Sequence, residues 1–186
     1  MVWKILSSDD TLSNVSGGYQ LFAPDGPMTP LYHVRDGWAA GSKLNSDTDG
    51  NQDNPLGFES ELRTILTFLK AEGISNVVWL ATDVHFAQFL RYEPGGELTG
   101  LVFHEFVSGP VNAGAGAPRA LSRTFAPIEL FAQGRRPDPT RPSFFNFGLL
   151  RIAADGLLRV EIRDAEGGVP YDAQGRPGVL ILTPVR

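Results

Sequence analysis

The 186 residues carry a formal net charge of -5 with Lys and Arg scattered along the chain, a pattern that disfavours nucleic-acid binding. At 42% hydrophobic and 20% charged, the composition is that of a folded globule, able to bury roughly 70% of its unfolded surface in a single domain. Cysteine is absent, which excludes a disulfide framework, a thiolate nucleophile and a cysteine-zinc site. No apolar run approaches about 18 residues, so no membrane span is expected.

Met1 to Leu6 reads as a strand, with Val2 to Leu6 alternating, rather than as a signal peptide. Ser7-Ser8-Asp9-Asp10 follows as a turn or cap. Residues 12–30, with Gly17-Gly18 and four prolines or glycines from Pro24 to Pro30, read as irregular surface. Residues 36–54 form a long polar stretch, expected to be a loop or lid.

Asn54-Pro55 then offers an N-cap and a proline at the first helical position. Phe58, Leu62, Ile65, Leu66 and Leu69 repeat at helical period, and Gly73 suits the position after the last turn, so a helix is predicted over 55–72. The next run, Asn76-Val77-Val78-Trp79-Leu80-Ala81-Thr82-Asp83-Val84-His85, is apolar until it stops at a Thr, an acid and a His. Such a run predicts a strand over 76–82 buried on both faces. Sites in open α/β sheets form where the chain leaves the carboxyl end of such a strand. Asp83 and His85 stand there two residues apart and, in an extended backbone, point the same way. An acid beside an imidazole suits a metal site, and a hydrogen-bonded polar pair at a strand end is the other reading.

Phe86–Tyr92 and Leu101–Ser108 bracket Pro94-Gly95-Gly96 as two strands of a hairpin-type connection. Within them Glu105 is a candidate for contact with substrate, against the simpler role of a hydrogen-bonded strand residue, and His104 is read as packed rather than ligating. Asn112, in the small-residue loop Gly109 to Gly116, is the other substrate-proximal candidate. Residues 117–143 are mostly irregular with a short strand at 128–132. Phe145–Ile152 and Leu157–Arg163 flank Asp155-Gly156 as a tight hairpin, and Val179–Thr183 makes a last strand.

The helix opening Asn54-Pro55-Leu56-Gly57-Phe58-Glu59-Ser60-Glu61, the strand ending in Asp83-Val84-His85, and Glu105-Phe106-Val107-Ser108-Gly109-Pro110-Val111-Asn112 together resemble the carboxyl-terminal half of PhoD-type alkaline phosphatases. These belong to the calcineurin-like metallophosphatase superfamily, and the resemblance runs over residues 54–163. It implies an α/β (α+β) fold, part of a metallophosphatase-type β-sandwich flanked by helices and β-rich toward the carboxyl end. It also implies that Asp83 and His85 are metal ligands in a centre of iron with calcium, manganese or zinc being alternatives. The implied activity is phosphoric monoester or diester hydrolysis, in a secreted or periplasmic setting. The chain departs from the pattern at Phe58, where an Arg is expected, and no Asp-x-His, Gly-Asp-x-x-Asp or Gly-Asn-His precedes Asp83. The chain is therefore read as one carboxyl-terminal portion of such a domain, with an incomplete metal set and little activity alone, whose partner is its missing amino-terminal half. The competing reading is a non-catalytic β-rich half-domain that binds a partner. A third is a module holding one metal through Asp83, His85 and water.

Overall fold

The computed structural model describes residues 3–8, 12, 22–23, 26–30, 58–82, 84–116, 118, 121, 124–134 and 144–185. The 36–54 stretch, the Asn54-Pro55 cap and Asp83 lie outside them. The strands are β1 (Lys4–Ser8), β2 (Phe22–Ala23), β3 (Gly26–Pro30), β4 (Val77–Ala81), β5 (Ala87–Tyr92), β6 (Phe103–Val107), β7 (Pro127–Gln133), β8 (Asn146–Ile152), β9 (Leu158–Asp164) and β10 (Val179–Leu182). Helix α1 spans Phe58–Ala71. A five-stranded sheet has the order β1-β4-β6-β5-β7, a three-stranded sheet the order β10-β9-β8, and β2 and β3 form a separate ribbon. This is the expected β-rich α+β fold.

β4 is parallel to both neighbours, with Leu6 opposite Trp79 on one side and Glu105 opposite it on the other. Its side chains alternate between two layers. Val77 and Trp79 join Leu62, Leu66 and Leu69 of α1, with Leu90, Tyr92 and Phe103 beside them. Val78 joins Phe89, Phe106 and Phe131 against Leu158, Val160 and Ile162 of the second sheet. A strand apolar on both faces needs such cover on both, which is why the order is helix, sheet, sheet.

The helix stops as its sequence dictates. Gly73 adopts φ 62, its N–H donates to Lys70 O at 3.1 Å, and the Ile74 N–H donates to Leu69 O at 2.8 Å. That paired bonding uses carbonyls the last turn leaves open, while Ile74 packs on the core beside Leu69. At the other sheet Gly156 turns β8 into β9 with φ 91, and Trp3 Nε1 donates to its carbonyl at 2.7 Å. Arg176 ties the closing turn to β7, donating to Asp172 Oδ2 at 2.6 Å and to Glu129 Oε1 at 2.8 Å.

Three expectations shift. β1 starts two residues late and takes in Ser7 and Ser8, because parallel pairing extends it to Ser8 opposite Ala81. Part of the 12–30 stretch is the β2–β3 ribbon and not irregular, with Phe22 opposite Pro30 and Ala23 opposite Gly26. The strand expected at 128–132 is the longer β7, paired with β5 from Pro127 to Gln133.

Trp79→Ala should cost about 3 to 5 kcal/mol, since the cavity opens in the middle of the helix-side core. Phe68→Ala, at an exposed position of α1, should stay within about 0.5 kcal/mol of the parent. Urea unfolding midpoints of the two variants check this, and equal shifts would contradict the assignment of Trp79 to the core.

Candidate active site at the carboxyl ends of two parallel strands

β4 and β6 end side by side, and the Ser108 N–H still donates to Ala81 O at 3.2 Å one residue beyond the ladder. β5 runs back antiparallel on the far side of β6. The 82–86 connection must therefore cross over the carboxyl end of β6 before β5 can begin. His85 makes that crossing with φ 60, a left-handed conformation that costs a non-glycine residue roughly 1 to 2 kcal/mol. The extended geometry expected to aim Asp83 and His85 alike thus ends at Ala81 for His85, and Asp83 lies outside the described residues.

The loop after β6 holds His85 instead. Its Nδ1 lies 2.7 Å from Gly114 O, a group that only accepts, so Nδ1 carries the proton. In the neutral ring Nε2 is then left with a lone pair. The Gly116 N–H donates to His85 O at 2.6 Å, and a Cβ at Gly116 would stand 2.9 Å from Val84 O. Glycine is required there by the closeness of the two loops. Gly109 makes a similar approach, for a Cβ on it would stand 3.2 Å from Thr82 O, and its φ is 119. The Gly109–Pro110 peptide is cis.

Asn146, at the start of β8, clamps this loop to the second sheet. Its Oδ1 accepts from Gly109 N at 2.9 Å, its Nδ2 donates to Gly109 O at 2.6 Å, and its own N–H donates to Pro110 O at 2.8 Å. A cavity of about 380 Å³ results, lined by Thr82, His85, Ser108 and the Gly109-Pro110 turn, with Asn146 and Phe147 from the second sheet. Its volume lies within the range of small-molecule sites. Imidazole and hydroxyl groups beside an open cavity can ligate a cation or donate to an anionic oxygen.

The expected site residues separate. His85 lines the cavity, whereas Asn112 is exposed in the adjoining loop and is not among the lining residues. Glu105 lies in the helix-side interior, fully buried, accepting from Leu12 N at 2.8 Å and Tyr92 Oη at 2.5 Å. Ser108 and Asn146, the lone polar residue among Phe144, Phe145 and Phe147, also line the cavity, beyond the residues expected from the sequence. A single amide inside an aromatic run is the signal that marks Asn146 as a buried hydrogen-bonding residue.

Glu105 and His104 titrate in opposition. Burial pushes the Glu105 carboxyl up to about 7 from 4.5, with the Tyr92 and Leu12 hydrogen bonds pulling the other way. Burial and the charge of Arg91 lower His104 to about 4 from 6.5. For Glu105 the unfolded chain releases the proton first, so its contribution to stability falls as pH rises from 4.5 to 7. For His104 the unfolded chain gains the proton first, so its contribution falls as pH drops from 6.5 to 4. Glu105→Gln removes only the first slope. The stability difference between this variant and the parent should grow by on the order of 3 kcal/mol between pH 4.5 and 7.5. Urea midpoints across that range check it, and a difference independent of pH would contradict it.

Asn146→Ala leaves both backbone groups of Gly109 without their side-chain partner in a buried setting. It should cost about 2 to 4 kcal/mol, for two hydrogen bonds and their desolvation. Asn146→Asp restores an acceptor for Gly109 N and no donor for Gly109 O, so a denaturation midpoint between those of the parent and Asn146→Ala is expected.

The PhoD-like phosphatase family model matches residues 1–156, most of the chain and all of the elements that build this cavity except part of the second sheet. Comparison with the curated proteins finds no match, and comparison with the solved structures finds none. The chain belongs to the PhoD-like phosphatase family, and its function is of the phosphatase, hydrolytic type.

Proposed function

We propose that this chain supplies part of a metal-dependent centre hydrolysing phosphoric monoesters or diesters, with Asp83 and His85 as metal ligands and iron with calcium as the metals. The observation that carries the proposal is the hydrogen bond from His85 Nδ1 to Gly114 O at the cavity wall. Metal-binding histidines usually donate their other ring N–H to a carbonyl or carboxylate, which fixes the ring and leaves the free nitrogen for the cation. The left-handed backbone at His85 supports the same reading, because strained residues concentrate at functional sites. The donor set, one imidazole nitrogen with a neighbouring carboxylate in sequence, fits iron, manganese or zinc, and the carboxylate also fits calcium.

A bound metal pair supplies polarisation of the phosphoryl oxygens and a nucleophilic water of lowered pKa. The residues of this chain do the rest of the positioning. Thr82 and Ser108 bring hydroxyls to the same cavity, available to donate to phosphoryl oxygens. The Asn146 clamp holds the Ser108-Gly109-Pro110 wall so that this arrangement persists without reorganisation. Among the described residues no group of three or more His, Asp or Glu gathers at one point. We assign the remaining ligands to another segment of the same protein.

On this reading the 186-residue chain alone turns over p-nitrophenyl phosphate and bis-p-nitrophenyl phosphate more slowly than about 1 per second, below ordinary enzyme rates. His85→Ala and Asp83→Asn should each reduce bound iron and manganese, measured by elemental analysis. Their unfolding midpoints without metal should stay near that of the parent, because cleft ligands are not core. If His85→Ala keeps its metal and melts as early as Trp79→Ala, then His85 is a packing residue and the proposal fails.

A further inference from the structure

The inner face of the β8–β10 sheet is taken by its even-numbered residues, with Leu150, Leu158, Val160, Ile162 and Leu180 in the core between the sheets. By strand alternation the odd-numbered side chains share the outer face. The register sets them out in three rows: Phe147 beside Arg163, Leu149 beside Glu161 and Val179, and Arg151 beside Arg159 and Ile181. Phe147 is 47% exposed and Ile181 54% exposed. Helix α1, the one α-helix among the described residues, packs on the five-stranded sheet and covers none of this.

Charge is set apart on the same face. Three arginines stand with one glutamate, which leaves two positive charges uncompensated in a chain whose net charge is -5. Arg159 and Arg163 bond the two carboxylate oxygens of Glu161 from either side, and that residue is 1% exposed. Arg151 is directly opposite Arg159, is exposed, and makes no ion pair among the described residues. Like charges facing each other on adjacent strands are destabilising, and an anion laid over the pair relieves the repulsion.

A small anion would satisfy the arginines and leave Phe147, Leu149, Val179 and Ile181 in water, so the complement of this face carries carboxylates and apolar groups together. The first and third rows lie about 13 Å apart along the strands. Residues i and i+7 on one face of a helix are separated by roughly 11 Å, a difference that arginine side chains can span. We propose that the outer face of the β8–β10 sheet docks a partner polypeptide through an amphipathic helix whose acidic residues stand about two turns apart with apolar residues between them. The carboxylates meet Arg163 and the Arg151–Arg159 pair, whose guanidinium forks match them, and the apolar stripe covers Leu149 and Val179. This docking is independent of the phosphatase reading, for Asn146 and Gly148 meet the cavity wall from the opposite face of β8.

The test uses the 186-residue chain and two synthetic stapled helices with one apolar stripe, one bearing Glu at positions i and i+7 and the other Lys. Binding is followed by titration calorimetry and by nuclear magnetic resonance shifts of the β8–β10 amides. The acidic helix should bind roughly five- to tenfold more tightly than the basic one, the size of two or three exposed ion pairs. Arg151→Glu should abolish or reverse that preference, and Phe147→Ala should weaken the acidic helix severalfold. Phe68→Ala, at an exposed position of α1, should change neither. Equal affinities, a preference that survives Arg151→Glu, or binding by neither helix overturns the proposal. Sedimentation of the parent as a dimer that Arg151→Glu dissociates assigns the face to a second copy of the chain. Binding to phosphatidylglycerol vesicles that the acidic helix does not displace assigns it to a membrane, and either result overturns the partner helix.

Discussion

Burial of β4 on both faces is the constraint on which the rest of the structure depends. Val77 and Trp79 must be covered from one side and Val78 from the other, and no single layer can do both. Helix α1 covers the first face and the β8–β10 sheet the second. Covered twice, the strand can present polar groups only at its ends, because buried charge inside the sandwich is costly unless paired. The cavity lies at one of those ends for that reason.

The site then follows from connectivity. β6 stands between β4 and β5, so the chain must arch over the end of β6, and the arch brings His85 against the loop that leaves β6. Two glycines permit that closeness, Gly109 beneath Thr82 and Gly116 beneath Val84. Asn146 adds the link to the second sheet by satisfying both backbone groups of Gly109. The cavity wall is thus carried by both sheets, and its geometry depends on how they pack. Its loop walls are tied by hydrogen bonds to each other and to β8, an arrangement that lets hydrogen-bonding groups act with little movement.

Glu105 shows the cost of polar groups within the same core. It is fully buried, hydrogen-bonded by Tyr92 and Leu12, and its carboxyl is shifted toward the neutral form. Tyr92 stacks on Phe103 at 4.5 Å, so the hydroxyl that meets Glu105 is fixed by aromatic packing. The carboxyl joins the residue at position 12 to the central sheet through a sequence separation of 93. Its role is to anchor a distant segment, and its location on the helix side separates it from the cavity.

Local pattern alone determined the central strand, the helix with its Gly73 terminus and the Asp155-Gly156 hairpin. Each of these depends on neighbours within a few residues: period, cap or turn residue. The family was legible too, since the run ending at His85 and the Ser108-Gly109-Pro110 segment lie in order along the chain. Tertiary structure decided what pairs across distance. Insertion of β6 between β4 and β5 bent the backbone at His85, which no two-residue alternation could reveal. Burial of Glu105 depended on Tyr92 and on position 12, and the cavity depended on Asn146 and Phe147 arriving from a second sheet. Hydrogen bonds and close approaches between segments 13 or more residues apart leave no periodicity in the sequence, so only the packed chain could show which polar groups share a site.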